Sequence, residues 1–309
     1  MINLIVITSS EFVRDIFKTH DLKFASRPNL MAGKIILYSY GGFGFTPYGK
    51  TWSKLCKICA LDLFSFKRVM SFKFIKEEEG NNLVDKIMMV KRSPVNLLEM
   101  LLSLSTMTIW IEAWDGARSQ GNGWFLNDII KEDEGKKLDG DDMNEDLVDV
   151  LLRIKRNGEL DLSQTMENVK AVVLDLFIAG SNTSSTVIVW AMTKLIQHPK
   201  VMQKAQLEVR KVLNGKRILE VGDIIKLPYL NQRFEETSLD FGVANFEYIP
   251  FGGGRRICPG VSFALASIEL WLAQLFFYFN WELPGGTNTQ ELDVEEAFGL
   301  ILTRKIIYV

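Results

Sequence analysis

Ten residues, FGGGRRICPG from Phe251 to Gly260, constrain this chain more than any other stretch. They set one cysteine, Cys258, in a glycine-rich loop directly ahead of a long apolar helix that begins near Val261. Gly252, Gly253 and Gly254 permit positive φ and a close approach of backbone to a bound group. Arg255 and Arg256 place fixed positive charge beside the thiol, which favours the thiolate and offers forked donors to carboxylates. Pro259 and Gly260 open the helix, so the sulfur lies near a helix N-terminus. A thiolate held this way suits a soft metal centre, and the arginines suit an acidic cofactor edge. The competing reading is a glycine-rich turn around a buried, inert cysteine.

The pattern Phe251, Gly254, Arg256, Cys258, Gly260 resembles the haem-binding signature of the cytochrome P-450 monooxygenases. The preceding NFEYIP, Asn245 to Pro250, is similar to the plant members. A second constellation agrees. AGSNTSS, Ala179 to Ser185, puts a glycine and a cluster of hydroxyls inside an otherwise apolar helix. Glycine there costs about 1 kcal/mol against alanine, so it needs a reason. Close helix packing with hydroxyls bonded back to their own carbonyls is one. The other is a notch beside a metal, because the segment resembles the same family's oxygen-activation motif. The family usually carries an acid before the threonine; here Asn182 can donate hydrogen bonds but cannot titrate.

Further stretches follow in chain order. KTHDLKFASRP (Lys18 to Pro28) and PYGKTW (Pro47 to Trp52) resemble early plant segments, and QHPKVMQKAQLEVRKVL (Gln197 to Leu213) the helix after the oxygen-activation helix. YFNWELP (Tyr278 to Pro284) and FGLILTRK (Phe298 to Lys305) resemble the segments that follow the ligand helix. The resemblance spans most of the chain and is strongest to plant subfamilies that oxidise terpenoids and related lipophilic metabolites.

It implies a mainly α cytochrome P-450 fold with small β-sheets, incomplete here, over residues 1–309 as a single haem-thiolate monooxygenase domain. Haem b would be the cofactor, with Cys258 as the iron ligand. Phe251 would cover the sulfur, Gly254 and Gly260 would shape the loop, and Arg256 with Trp52 would hold the haem propionates. Gly180, Asn182 and Thr183 would flank dioxygen, and Leu300 with Ile301 would border the substrate. The expected reaction inserts one oxygen atom into a small lipophilic molecule. Electrons would come from a separate NADPH-dependent reductase, since nothing resembles a nicotinamide or flavin site. The alternative is a non-catalytic remnant that binds haem weakly or not at all.

Several departures bear on that choice. Four residues after Trp52 the family has an arginine for the propionates; this chain has Cys56. A lost contact of that kind costs about 1–3 kcal/mol. After LPYL, Leu227 to Leu230, the sequence passes directly to QRFEETSLDF, so the Glu-x-x-Arg helix region near 230–233 is expected to be missing. Glu11 and Arg14 share its spacing by coincidence. Much of the substrate roof near 120–127 and the N-terminal anchor are also expected to be absent. The family works at the endoplasmic reticulum membrane, and a chain lacking the anchor would be peripheral or cytoplasmic.

The rest of the sequence narrows the alternatives. A hydrophobic fraction of 47% indicates a buried core, and a net charge of −2 without basic runs gives no reason to expect nucleic acid. Three cysteines cannot build a disulfide framework. Cys56 and Cys59 form a C-x-x-C able to bind zinc, but Cys258, His20 and His198 offer no paired spacing, so two ordinary thiols are expected. KEEEG, Lys76 to Gly80, reads as a solvated face. Helices are expected over 9–19, 51–62, 66–91, 94–114, 144–155, 164–197, 199–213 and from Val261, with short strands at 4–7, 35–37, 43–45 and 303–309 and a loop over 115–142. Val172–Met192 and Ala264–Phe279 are apolar enough to test as membrane spans; their polar residues favour buried core helices.

Overall fold

Periodic apolar spacing yields helices throughout, and their breaks fall where the chain supplies a cap or a stop. The computed structural model describes residues 5–36, 38–90, 93–114, 145–158, 166–213, 215–216, 218–227, 246–283, 296–297 and 303–304. Helix α1, Ser10–Arg14, runs on as a π turn over Asp15–Thr19; Ser9 occupies the N-cap without a side-chain capping bond. Then follow α2 (Asp21–Phe24), α3 (Met31–Ile36) and α4 (Lys50–Ile58), the last continued by a π turn over Cys59–Leu63. The helix expected over 66–91 is divided at Phe72 into α5 (Phe66–Ser71), capped by the Ser65 hydroxyl, and α6 (Lys73–Met89). Helix α7, Leu97–Ala113, starts at Asn96 rather than Pro94, because the Asn96 side chain accepts from the Glu99 N–H at 3.2 Å.

Helix α8 (Leu147–Arg156) opens on a reciprocal capping box between Asp146 and Asp149. It is followed by α9 (Met166–Gln197), α10 (Pro199–Val212), α11 (Val221–Ile224) and α12 (Val261–Tyr278). Strands β1 (Glu296–Ala297) and β2 (Thr303–Arg304) pair antiparallel, with Glu296 opposite Arg304. Residues 305–309 of the expected terminal strand, and the loop expected over 115–142, lie outside the described residues.

Three expected strands are corrected. Residues 5–7 are exposed and irregular, Ile35 and Ile36 belong to α3, and 43–45 form a bend. Each run is only three or four apolar residues long, too short for periodicity to separate strand from helix, and no neighbouring strand is described to pair with it.

Helix α9 organises the core. Val169–Leu176 at its N-terminal half pack with Leu55, Cys59, Leu63, Val148 and Leu152. Ile188–Ile196 at the other end pack with Leu97, Leu101, Val209, Trp271 and Phe276. Between these clusters Ile178, Ala179, Asn182 and Thr183 are exposed. Both α9 and α12 have the length and hydropathy of a membrane span, yet each places half of its most apolar window inside the protein. They are core helices, as their polar residues suggest.

Candidate active site

The cysteine loop is built by three backbone hydrogen bonds. Gly252 N–H donates to Ile249 at 2.9 Å, Ile257 N–H to Gly254 at 3.2 Å, and Cys258 N–H to Phe251 at 3.0 Å. Gly252 and Gly254 have φ of 73° and 62°, the left-handed region where a side chain is strained. A Cβ on Gly254 would also lie 3.0 Å from the Phe17 ring and 3.1 Å from the Asp21 carboxyl carbon. Gly253 and Gly254 thus pack against Phe17 of the π turn after α1.

The two arginines are likewise not directed at the thiol. Arg255 is ion-paired to Asp21 at 3.0 Å. Arg256 lies 4.4 Å over the Trp52 ring and donates to the carbonyls of Ala25 (2.6 Å), Phe43 (3.3 Å) and Thr46 (2.6 Å). Burial pushes the Cys258 thiol up from its ordinary value, opposed by a hydrogen bond from the Gly260 backbone at the start of α12. The expectation that Arg255 and Arg256 favour the thiolate is thus corrected: the helix N-terminus does, and a metal would have to complete deprotonation. Arg256 instead pulls down the Cys56 thiol, which burial still raises to about 11. Cys59 is buried and its thiol is pushed well up, so neither member of the C-x-x-C is a ready nucleophile.

Opposite the loop, α9 is notched at Gly180. Ile109 of α7 packs against the bare Cα there, leaving no room for a side chain. Thr183 Oγ1 donates to the Ala179 carbonyl at 2.7 Å and so shields the adjacent turn. Between loop and notch lies a cavity of about 400 Å³ bounded by Gly180, Thr183, Phe251, Cys258, Phe263 and Glu112 among others, and most of its wall is apolar.

The predicted residues distribute as follows. Cys258, Phe251, Gly260, Gly180 and Thr183 all face this cavity. Asn182 does not line it; its side chain is exposed, and its carbonyl accepts from Ser185. Trp52, Arg256 and Gly254 sit behind the wall, joined to it through the Phe43 carbonyl that Arg256 holds. Leu300 and Ile301 lie outside the described residues.

The donor set fits haem. Among the described residues no three His, Cys, Asp or Glu side chains converge to hold a metal ion. One sulfur facing an apolar cavity suits a metal whose remaining in-plane ligands come from its own macrocycle, whereas zinc needs three or four protein ligands. The volume is within the usual range for a small-molecule site.

Two features were not legible in the sequence. Lys76, expected on a solvated face, is fully buried in α6 and ion-paired to Glu112, also buried. Burial pushes the Glu112 carboxyl up while Lys76 pulls it down. The overlooked signal is spacing: Lys76, Gly80, Leu83 and Ile87 form one helical stripe, all of it buried. The second is Asp175 of α9, whose carboxylate accepts from the Gly44 N–H at 2.9 Å and from Phe43, while burial raises its pKa to about 6. It anchors the bend that carries Phe43 to the cavity.

The comparisons with known proteins converge on one family. The family model described as Cytochrome P450 matches residues 123–238 and 232–309. Desmethyl-deoxy-podophyllotoxin synthase of Sinopodophyllum hexandrum is 35% identical over 411 aligned positions, covering 97% of this chain and 81% of that enzyme. Premnaspirodiene oxygenase of Hyoscyamus muticus is 32% identical, with 98% and 82% covered. In structure, a zebrafish cytochrome P450 solved with progesterone superposes with a TM-score of 0.80 at 17% identity, covering 98% of this chain and 92% of its own, which speaks for the fold.

Proposed function

This chain belongs to the cytochrome P450 family, and from that membership we propose that it is a haem-thiolate monooxygenase acting on a small lipophilic plant metabolite, with electrons from a separate NADPH-dependent reductase. The observation that carries the proposal is the opposition of Cys258 and the Gly180–Thr183 notch across one apolar cavity. The family's cofactor is haem, which when bound supplies the oxygen-activating iron chemistry. Cys258 Sγ would ligate the metal, with the Gly260 N–H fixing the sulfur's orientation and donor strength. Phe251 would exclude water from the sulfur. Gly180, whose bare Cα packs against Ile109, and Thr183 would border the opposite face, and Thr183 holds a proton at Oγ1, already parked on the Ala179 carbonyl. Arg256 engages three of its five N–H donors with carbonyls; its remaining donors, beside Trp52, would meet the acidic edge of the haem. Leu300 and Ile301 are assigned to the substrate side, and the setting to the endoplasmic reticulum membrane.

We further infer that the chain is internally shortened near 120–127 and 230–233, which supports a second reading, a remnant that keeps the motif without the chemistry. An alignment of 411 positions exceeds the 309 residues available, so at least 102 positions have no counterpart here. The two segments matched by the family model also overlap at 232–238, as expected where intervening family sequence is missing. One experiment separates the readings: the carbon monoxide difference spectrum of the reduced, haem-reconstituted chain, with Cys258→Ala as control. A Soret band at the thiolate position, lost in the variant, supports the monooxygenase. A band of the histidine or free-haem type supports the remnant.

A further inference from the structure

Phe43 is brought to the cavity wall by a segment whose backbone is strained. Tyr38, Ser39 and Tyr40 have φ of 45°, 55° and 65°. Three successive non-glycine residues in the left-handed region persist only where their surroundings impose it. The chain that follows lies flush on α9, along the stripe formed by Asn168, Ala171 and Asp175. Asn168 Nδ2 donates to the Gly41 carbonyl at 2.9 Å. The Asp175 carboxylate accepts from the N–H groups of Phe43 and Gly44, the latter at 2.9 Å. A Cβ on Gly42 would lie 2.9 Å from the Ala171 carbonyl and closer still to the Asp175 carboxylate, so the close approach requires glycine. Arg256 holds the segment from its other side through the Phe43 carbonyl. Tyr38, Tyr40, Gly41 and Thr46 of the same segment line a second cavity, of about 530 Å³, which Asn168 also borders. Phe43 and Thr46 are thus close in the chain yet face different cavities.

We propose that Asp175 is a positioning residue for specificity: it keeps Phe43 on the wall, so the segment stands as a partition between the two cavities and the site takes compact lipophilic substrates. Longer fused-ring molecules, which need both spaces, are excluded. Asp175 touches no substrate and acts through Phe43. Without its carboxylate the left-handed turn relaxes, the bend lifts from α9 and Phe43 leaves the wall. The inference deepens the monooxygenase reading, and rests on it for the word substrate, but its test is binding and not turnover.

The test uses the full chain with haem supplied and two probes, a decalin alcohol and the longer, fused-ring androstane alcohol, titrated by calorimetry. Wild type should prefer the decalin alcohol. Asp175→Leu fills the same volume but accepts no hydrogen bond. In it the androstane-to-decalin affinity ratio should rise about 10- to 100-fold, because the hydrogen bonds that held the partition no longer oppose the larger ligand. A merely structural role would weaken both probes together. Phe43→Ala should raise the ratio as well, and adding Asp175→Leu to it should change the ratio no further, as expected when one residue acts through the other. Gly42→Ala drives the bend from α9 by crowding, should shift the ratio in the same direction, and serves if Asp175→Leu does not fold. A ratio unchanged in these variants, a parallel loss of both probes, additive effects in the double variant, or no binding of either probe by wild type overturns the proposal. A shifted ratio without a thiolate Soret band would remove the monooxygenase reading and keep the partition; a thiolate band with an unshifted ratio does the reverse.

Discussion

Replacing Asp175 by asparagine should remove one identifiable slope from the pH dependence of stability. The carboxyl is buried, which raises its pKa from 3.8 to about 6 despite the N–H groups of Gly44 and Phe43. The folded state therefore holds this proton more tightly than the unfolded chain. Its contribution to stability is fully present below about pH 4 and is lost as pH rises through about 6. Two pKa units at about 1.4 kcal/mol each make the loss about 3 kcal/mol. Asparagine stays neutral at every pH and keeps an oxygen for one of the two N–H groups. Urea unfolding followed by tryptophan fluorescence, at intervals from pH 4 to pH 7, measures the gap between the two proteins. Wild type should lose about 3 kcal/mol relative to Asp175→Asn across that range. A gap that stays constant, or that moves in wild type's favour as pH rises, refutes the argument that burial outweighs the two hydrogen bonds.

Two further outcomes follow from the loop geometry. Arg256→Lys exchanges a fork for a point charge and cannot reach the carbonyls of Ala25, Phe43 and Thr46 together, so chemical denaturation should show a loss of about 1.5–3 kcal/mol. Gly254→Ala places a Cβ at a φ of 62°, which alone costs about 1–2 kcal/mol, and crowds Phe17 and Asp21 as well; thermal unfolding should fall further than for Gly49→Ala, whose Cβ would meet open space.

The sequence by itself determined what depends on neighbours in the chain. Helices α9, α10 and α12 were legible because apolar period and the Pro199 first-turn signal are local; at Gly180 the structure shows the close packing, against Ile109, at a position that lines the cavity. Cys258 was legible because its loop and helix start are contiguous with it. Short apolar runs such as 35–37 were not, since three residues fit either a strand or a helix until packing chooses. Tertiary structure alone decided where charge goes. Arg256 finds carbonyl partners more than 200 residues away, and Lys76 meets Glu112 across 36 residues. Desolvation, which sets the directions for Cys258, Glu112 and Asp175, is a property of the atoms that surround a group in space. A residue string records its neighbours in sequence, so it could name the thiol and the charges but not which of them would meet.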